Sequence, residues 1–307
     1  MAQAMNTPRA HDNRLSAATR RLRRRLKKIR NALARRFFDT RYGRELLISA
    51  IGGRVTAMTV DCGDHAMTFD PGDYIGRKIF RKGHFERPNV ERLLAVLRQR
   101  GLPLDGRAML ELGANIGTQT VYFSLANTFR HIVAVEPDPR NHRLLQANIA
   151  QNSLEAQVTA LQYAVGERHG EIDFFQHRNN HGKSSALRQS RDDIQITVAV
   201  RPVDEILAMA NVAAEDIGLV WMDIEGYEPA ACRSMGFLMA RQVPLYMEFS
   251  PVFYGRQATV EFVRLLSRFY GDCLLFGEDG IRPIAVGDLV SIEKQADILL
   301  LPPDGRD

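Results

Sequence analysis

The sequence has little cysteine, a single tryptophan and no long apolar run, and these shortages exclude several classes of protein. The three cysteines, Cys62, Cys232 and Cys273, are widely spaced and odd in number. Neither a disulfide framework nor a cysteine zinc site is therefore expected. No apolar run approaches the ~20 residues that a membrane-spanning helix needs. The first residues also lack the apolar stretch of a secretory signal. We expect reduced thiols and a cytoplasmic protein.

Charge is plentiful but unevenly distributed. Charged residues make up 25% of the chain and hydrophobic residues 45%, which is typical of a globular protein with a substantial core. Residues 1–44 hold 14 Lys/Arg and 2 Asp/Glu, a net charge of +12, whereas the other 263 residues hold 27 and 34, a net charge of −7. A mildly acidic body is not typical of a nucleic-acid-binding surface, so nucleic acid is not an expected partner.

The basic residues concentrate in a segment with helical periodicity. Residues 14–36 contain no Gly or Pro. The apolar side chains recur at helical spacing and form a narrow stripe: Leu15, Leu22, Leu26, Ile29 and Leu33. Such a helix can rest on its own domain or on a twin subunit, lie on an anionic membrane surface, or bind nucleic acid. Its composition also resembles a mitochondrial targeting peptide. The sequence leaves these alternatives open.

Residues 45–100 predict a small unit ahead of the main domain. Three short runs rich in β-forming residues, LLISAI, RVTAMTVDC and HAMTFD, are separated by GG and CGD, which predicts a small antiparallel β unit. Asn89 is expected to cap a following helix whose leucines lie on one face and which ends at Gly101.

A strand, a glycine-containing turn, a helix and a second strand come next. The strand Ala108–Leu112 precedes the loop at residues 113–117, and the strand HIVAV is followed by Glu136, 23 residues after Gly113. Glycines after a strand let the backbone approach a ligand closely. An acid at the end of the next strand can accept hydrogen bonds from both ribose hydroxyls. The pattern predicts a nucleotide-binding βαβ unit.

The chemistry of this loop favours S-adenosylmethionine (SAM) over a dinucleotide. The loop reads ELGANIG, so Glu111 would place a negative charge beside a pyrophosphate seated on the next helix. SAM has no phosphate, and its sulfonium and ammonium groups tolerate carboxylates. Ala164 is expected at the adenine pocket, with ordinary packing as the alternative. The residues expected to bind SAM here are Glu111, Gly113, Ala114, Asn115, Gly117, Glu136, Pro137 and Ala164.

Carboxylates follow two further apolar strands. The strand LVWM leads into DIEGYE, and VPLYMEF carries Glu248 near its end. Ligands of open α/β sheets lie at the carboxyl ends of the strands. We expect Asp223 to lie nearest the reacting group and beside SAM, with Glu225 assisting. Tyr227, Glu228 and Glu248 are expected to contact the acceptor. Capping of the next helix by Glu225 and Glu228, and an arginine partner for Glu248, are the structural alternatives.

The polar segment at residues 177–193 predicts a long loop. It has one glycine and no periodicity, which is typical of a lid, a binding loop or a solvated variable loop. Histidine is a natural base for a hydroxyl, so His177 is a further candidate for catalysis. The spacing of His177 and His181 fits no standard metal site, and no metal is expected.

Four segments of the chain resemble one enzyme family. They are LELGANIGTQT, VAVEPDPRNHRLLQANI, LQYAVGERHGEIDF and WMDIEGYEPAA, in this order and preceded by GDYIGRKIFRKGHFE. Together they resemble the FkbM family of SAM-dependent methyltransferases over roughly residues 70–250, and DIEGYE is the most specific element. The resemblance implies an α/β class I methyltransferase fold, with a Rossmann-like, doubly wound sheet that is mostly parallel and has an antiparallel edge strand. It also implies O-methylation of a hydroxyl on a sugar, glycan or polyketide-type molecule.

We therefore expect a basic helical segment at residues 1–44, a small β/α pre-domain at 45–100, a SAM-binding domain at 101–302 and a frayed tail at 303–307. Methylation of RNA or protein, using the arginine-rich helix, is one alternative function. A non-catalytic SAM-fold module is another. The chain lacks the (D/N)PP(Y/F) element typical of base N-methylation. The expected location is the cytoplasm, with peripheral attachment to a membrane as an open alternative.

Overall fold

The computed structural model describes residues 17–51, 53–277 and 279–302, and it divides the chain into two compact units after Ala50. The predictions for residues 1–16 and 303–307 lie outside the described residues. None of the described helices has both the length and the apolar content that crossing a bilayer requires.

Two helices form the first unit, α1 at Ala17–Phe38 and α2 at Arg41–Ser49. The Thr40 hydroxyl accepts a hydrogen bond from the Gly43 amide at 3.1 Å and donates one to the Phe37 carbonyl at 2.7 Å. Thr40 therefore caps α2. The β run predicted for LLISAI is wrong, because the capped corner starts a helix ahead of it and its leucines are good helix formers.

The second unit alternates strands and helices. Its first half comprises β1 Met58–Asp61, β2 Ala66–Phe69, α3 Tyr74–Lys82, α4 Arg87–Gln99, β3 Ala108–Leu112, α5 Thr118–Leu125, β4 His131–Val135, α6 Pro139–Gln151 and β5 Val158–Leu161. Its second half comprises β6 Ala164–Val165, β7 Gly170–Gln176, β8 Ile194–Arg201, α7 Val203–Met209, β9 Ile217–Met222, α8 Glu228–Ser234, α9 Gly236–Ala240, β10 Leu245–Phe249, α10 Pro251–Leu266, β11 Asp272–Gly277, β12 Gly280–Ala285 and β13 Ala296–Leu300.

An eight-stranded sheet forms the centre of this unit, in the order β12-β11-β13-β10-β9-β3-β4-β5. The five strands from β10 to β5 are parallel, and β13 is antiparallel to both of its neighbours. The predicted mostly parallel sheet with an antiparallel edge strand is confirmed, with β12 as that edge. A second reversed strand, β13, lies inside the sheet. Every residue of β3 and β9 is buried, as expected of parallel strands covered on both faces.

The predicted small β unit is a two-stranded hairpin of β1 and β2. The side chain of Asn148 in α6 bonds the hairpin to the rest of the second unit. The Asn148 amide accepts from Thr68 N at 2.7 Å and donates to the Thr68 carbonyl at 3.0 Å and the Ile116 carbonyl at 2.7 Å. One side chain thus links the hairpin to the loop after β3.

Helix α4 begins at Arg87, three residues before the start that a cap at Asn89 implies. Its N-cap position is occupied by Glu86, whose φ is 56°, and Pro88 lies in its first turn. The expectation for Asn89 is wrong because proline is pre-organised for the start of a helix and so allows the helix to begin ahead of Asn89.

Candidate functional site

One cleft lies where the carboxyl ends of β3, β4, β9 and β10 meet. Residues from the loops after these strands, from the segment before α4 and from the loop between β7 and β8 line it. The lining includes Gly113, Asn115, Glu136, Pro137, His181, Asp223, Glu225 and Glu248. Seven residues expected to bind cofactor or acceptor or to act in catalysis therefore share one cleft. None of the described residues that line it is Lys or Arg.

The loop after β3 turns back on the strands beside it. The amides of Gly113 and Ala114 donate to the Val135 carbonyl at 2.9 and 3.0 Å. Gly113 has a φ of 84°, and a Cβ built on it would lie 1.8 Å from the Asp223 carbonyl oxygen. Glycine is therefore required here by the close approach of the loop after β9, in addition to any ligand. At Gly117, whose φ is 86°, the nearest atom to a Cβ would be Leu145 Cδ1, in a flexible side chain.

Glu136 is a buried carboxylate held by backbone amides. Its Oε2 accepts from Asn115 N and its Oε1 from Asp138 N, both at 2.8 Å. Burial, followed by the charge of Asp138, raises the pKa of Glu136 to about 8. Each carboxylate oxygen can accept more than one hydrogen bond, so Glu136 keeps capacity for a pair of hydroxyl donors in the cleft.

An apolar slot adjoins the cleft and shares four lining residues with it: Gly113, Pro137, Phe174 and Ile224. Ala164, the residue expected at the adenine pocket, lines this slot. Tyr227, expected to contact the acceptor, also lines the slot and is absent from the lining of the cleft. Aliphatic and aromatic walls around a narrow space suit a flat aromatic base.

Three carboxylates form an acidic wall in the same cleft as Glu136. Asp223, Glu225 and Glu248 each offer an oxygen, and these oxygens lie within 4.8 Å of one another. Burial is the largest cause of their raised pKa values, followed by repulsion between neighbouring carboxylates. The pKa of Glu225 rises to about 7 and that of Glu248 to about 8, and the pKa of Asp223 lies well above its usual range. Asp223 Oδ1 is buried without a hydrogen-bond partner in the described structure. The wall suits a positively charged group, and its oxygen donors match those of a hard cation site.

Two further acids, which the sequence patterns did not predict, lie beside this wall. Glu86 and Asp297 line a smaller pocket with Asp223, Trp221 and Glu248. Glu86 also accepts from Gln119 Nε2 at 3.3 Å. Asp297 interrupts the otherwise apolar strand β13, a pattern that could have marked it. No comparable sequence signal identified Glu86, because its place depends on a left-handed backbone conformation.

The structure distinguishes the two histidines of the loop after β7. His177 is absent from the cleft lining, and its Nδ1 accepts from the amides of Asn179 and Asn180 at 3.3 and 3.1 Å. His181 lines the cleft, is only 7% exposed, and its Nδ1 has no partner among the described residues. The Asp73 carboxylate accepts from His181 N at 2.6 Å and fixes this part of the loop.

Two predicted site acids lie behind the cleft surface. Glu111 is fully buried and accepts from the Thr120 hydroxyl at 2.6 Å, and burial raises its pKa to about 8. Glu228 is fully buried, and its Oε1 accepts from the amides of Ile224 and Gly226. Its Oε2 accepts from the Tyr254 hydroxyl at 2.7 Å. Glu228 therefore braces the loop after β9.

Two of the predicted loop residues also lie outside the cleft lining. They are Ala114 and Gly117, on either side of the lining residue Asn115. Contacts of Glu111, Ala114 and Gly117 with a cofactor, and of Glu228 with an acceptor, stay predictions.

Comparison with known proteins agrees with the sequence resemblance. A family model described as the methyltransferase FkbM domain matches residues 111–273, just over half of the chain. The 2-O-methyltransferase NoeI of Sinorhizobium fredii is 24% identical over 158 residues, which are 46% of this chain and 63% of that protein.

Solved structures give more distant matches. A methyltransferase FkbM from Methylobacillus flagellatus KT is 18% identical, and the match covers 64% of this chain and 44% of that chain with a TM-score of 0.42. An O-methyltransferase from Bacillus cereus, in complex with SAH, is 14% identical, and the match covers 70% of this chain and 81% of that chain with a TM-score of 0.41.

Proposed function

The chain belongs to the FkbM methyltransferase family, and from that premise we propose that it transfers a methyl group from SAM to a hydroxyl of a small-molecule or glycan acceptor. One observation carries the proposal. The loop at Gly113, the carboxylate of Glu136 and the acids Asp223 and Glu248 line a single cleft. Groups suited to a nucleoside and groups suited to proton transfer therefore share one cleft.

The donor set of the cleft fits SAM. Glu136 would accept hydrogen bonds from the ribose hydroxyls, and the slot at Pro137 and Ala164 would hold the adenine. The described residues that line the cleft and the slot include no Lys or Arg that could bind a phosphate. The unpartnered Asp223 Oδ1 and its acidic neighbours favour a ligand with positive charge. When bound, SAM supplies an activated methyl group.

Asp223 is the residue that we assign to the acceptor hydroxyl. The hydroxyl must lose its proton as its oxygen bonds to the methyl carbon. A carboxylate with a raised pKa is a stronger base than an ordinary one when it is ionised. Glu248 and Glu225 would hold the acceptor beside Asp223. Of the two histidines in the loop after β7, His181 lines the cleft and is the one that we assign beside the acceptor. A catalytic role for His177 stays a prediction. By aligning the acceptor hydroxyl with the methyl group, these residues would supply much of the rate enhancement.

Two further observations support the acceptor class and the location. NoeI is named a 2-O-methyltransferase, which supports an oxygen atom as the acceptor. The cysteines Cys62, Cys232 and Cys273 are all free thiols, which supports a reducing compartment such as the cytoplasm.

Methyl-labelled SAM and a panel of sugars, oligosaccharides and hydroxylated small molecules would test the proposal. Label is expected in an ether methyl group of at least one hydroxylated acceptor, and Asp223→Asn should abolish most of that signal. Transfer of label only to amines, RNA or protein would refute the assignment of a hydroxyl. Failure to bind SAM in calorimetry would refute the cofactor.

A further inference from the structure

Helix α1 carries an exposed apolar stripe. The stripe consists of Leu22, Leu26, Ile29, Leu33 and Phe37, whose exposed fractions are 58%, 56%, 58%, 65% and 48%. Each residue advances about 100° around an α-helix, so the five side chains fall within an arc of about 80°. Apolar side chains scattered singly over a surface are ordinary, but a continuous stripe over four turns marks an interaction surface.

Positive charge surrounds the stripe. The 22 residues of α1 include ten Lys/Arg and no Asp/Glu. Helical geometry places Arg25 and Arg36 along one border of the stripe and Arg30 along the other. Long arginine side chains at such borders can cover apolar surface with their stems while their guanidinium groups reach outward. The helix therefore combines apolar contact area with a dense set of phosphate-binding groups.

We propose that α1 lies in the plane of an anionic lipid membrane and anchors the enzyme there. The stripe would enter the boundary between headgroups and acyl chains, and the flanking arginines would contact lipid phosphates. An anionic lipid surface can bind both the apolar stripe and the arginines beside it. Nucleic acid would engage the arginines and leave the leucines and Ile29 in water. Packing against a second copy of α1 would bring twenty positive charges together without a compensating acid in either helix.

The two features make separable contributions. Each basic residue near an anionic surface strengthens binding by about fivefold at low salt. Burial of one leucine-sized side chain strengthens it by roughly tenfold. Replacing two residues of the stripe should therefore weaken vesicle binding by about a hundredfold. Binding should also weaken steeply with salt, because ions screen the charges but leave the apolar contact in place.

Vesicle flotation of the full-length chain would test the anchor. The probes are vesicles of phosphatidylcholine alone and of phosphatidylcholine with phosphatidylglycerol, between about 0.05 and 0.5 M NaCl. The test variant is Leu26→Gln with Ile29→Gln, since glutamine is a good helix former and should preserve α1. The matched control is Met209→Gln with Val290→Gln, which replaces two exposed apolar side chains, 43% and 49% exposed, outside α1.

We expect the full-length chain to bind only the vesicles that contain phosphatidylglycerol, and this binding should weaken with salt. The stripe variant should lose about a hundredfold in affinity, and the control should match the wild type. Equal binding to neutral vesicles, binding by the stripe variant at wild-type affinity, or absence of vesicle binding would each overturn the anchor.

RNA binding that the stripe variant retains, without vesicle binding, would assign α1 to nucleic acid instead. Self-association lost in the stripe variant, without vesicle binding, would assign it to a twin subunit. Calorimetry of SAM binding is independent of all these outcomes, so the anchor and the proposed activity fail separately.

Discussion

Gly113→Ala should disrupt the junction between the cofactor loop and the acidic loop. The substitution places a methyl group 1.8 Å from the Asp223 carbonyl oxygen, on a backbone whose φ is 84°. The left-handed conformation alone costs an alanine about 1–2 kcal/mol. An ordinary contact needs about 3.4 Å, so the two loops must separate by more than 1 Å, and forced separations of this kind cost about 1–3 kcal/mol. We expect a loss of about 2–5 kcal/mol in the free energy of unfolding, measured by urea denaturation.

Gly106→Ala is the matched control for this prediction. Gly106 also has a positive φ, 74°, but a Cβ there would meet no atom within 4 Å. Gly106→Ala should lower the free energy of unfolding by about 1–2 kcal/mol, which is the cost of the left-handed conformation alone. Activity gives a second readout, because a shift of Asp223 by about 1 Å should slow methyl transfer by about a hundredfold in protein that is still folded. Equal destabilisation by the two substitutions would refute the collision as the reason for glycine at position 113.

Three further predictions concern the acids. Glu136→Ala should weaken SAM binding by about 1–3 kcal/mol in calorimetry, because it removes the acceptor of two hydrogen bonds worth about 0.5–1.5 kcal/mol each; unchanged affinity would remove the ribose assignment. Asp223→Asn should slow turnover by roughly 10²–10⁴-fold with little change in SAM affinity. Glu228→Gln should instead lower the melting temperature, because weakening its buried hydrogen bonds costs about 1–3 kcal/mol of the free energy of unfolding. The reverse pattern would exchange the roles of the two residues. The raised pKa values of Glu225 and Glu248, about 7 and about 8, mean that the folded state holds protons that the unfolded state has released. The melting temperature of the ligand-free protein should therefore fall as the pH rises from about 4.5, where unfolded glutamates titrate, to about 8. The fall should be smaller in Glu248→Gln, and a flat or rising profile would contradict the raised pKa values.

The sheet and the place of the site followed from local patterns in the sequence. Continuous apolar runs predicted buried parallel strands, and the residues directly after them were expected at the functional edge. Glu136 and Asp223 lie there because a strand's end and its next residues stay together however the rest of the chain folds. The FkbM resemblance rested on the same local segments, and the family model confirms it.

Tertiary structure alone decided which way the side chains of these segments face. Glu228 turns into its own loop because Tyr254, 26 residues further along, donates to it. His181 rather than His177 lines the cleft because Asp73, 108 residues earlier in the chain, fixes its backbone. Glu86 and Asp297 join Asp223 from segments far away in sequence. Period and propensity describe neighbours along the chain, whereas these orientations depend on partners that only packing brings together.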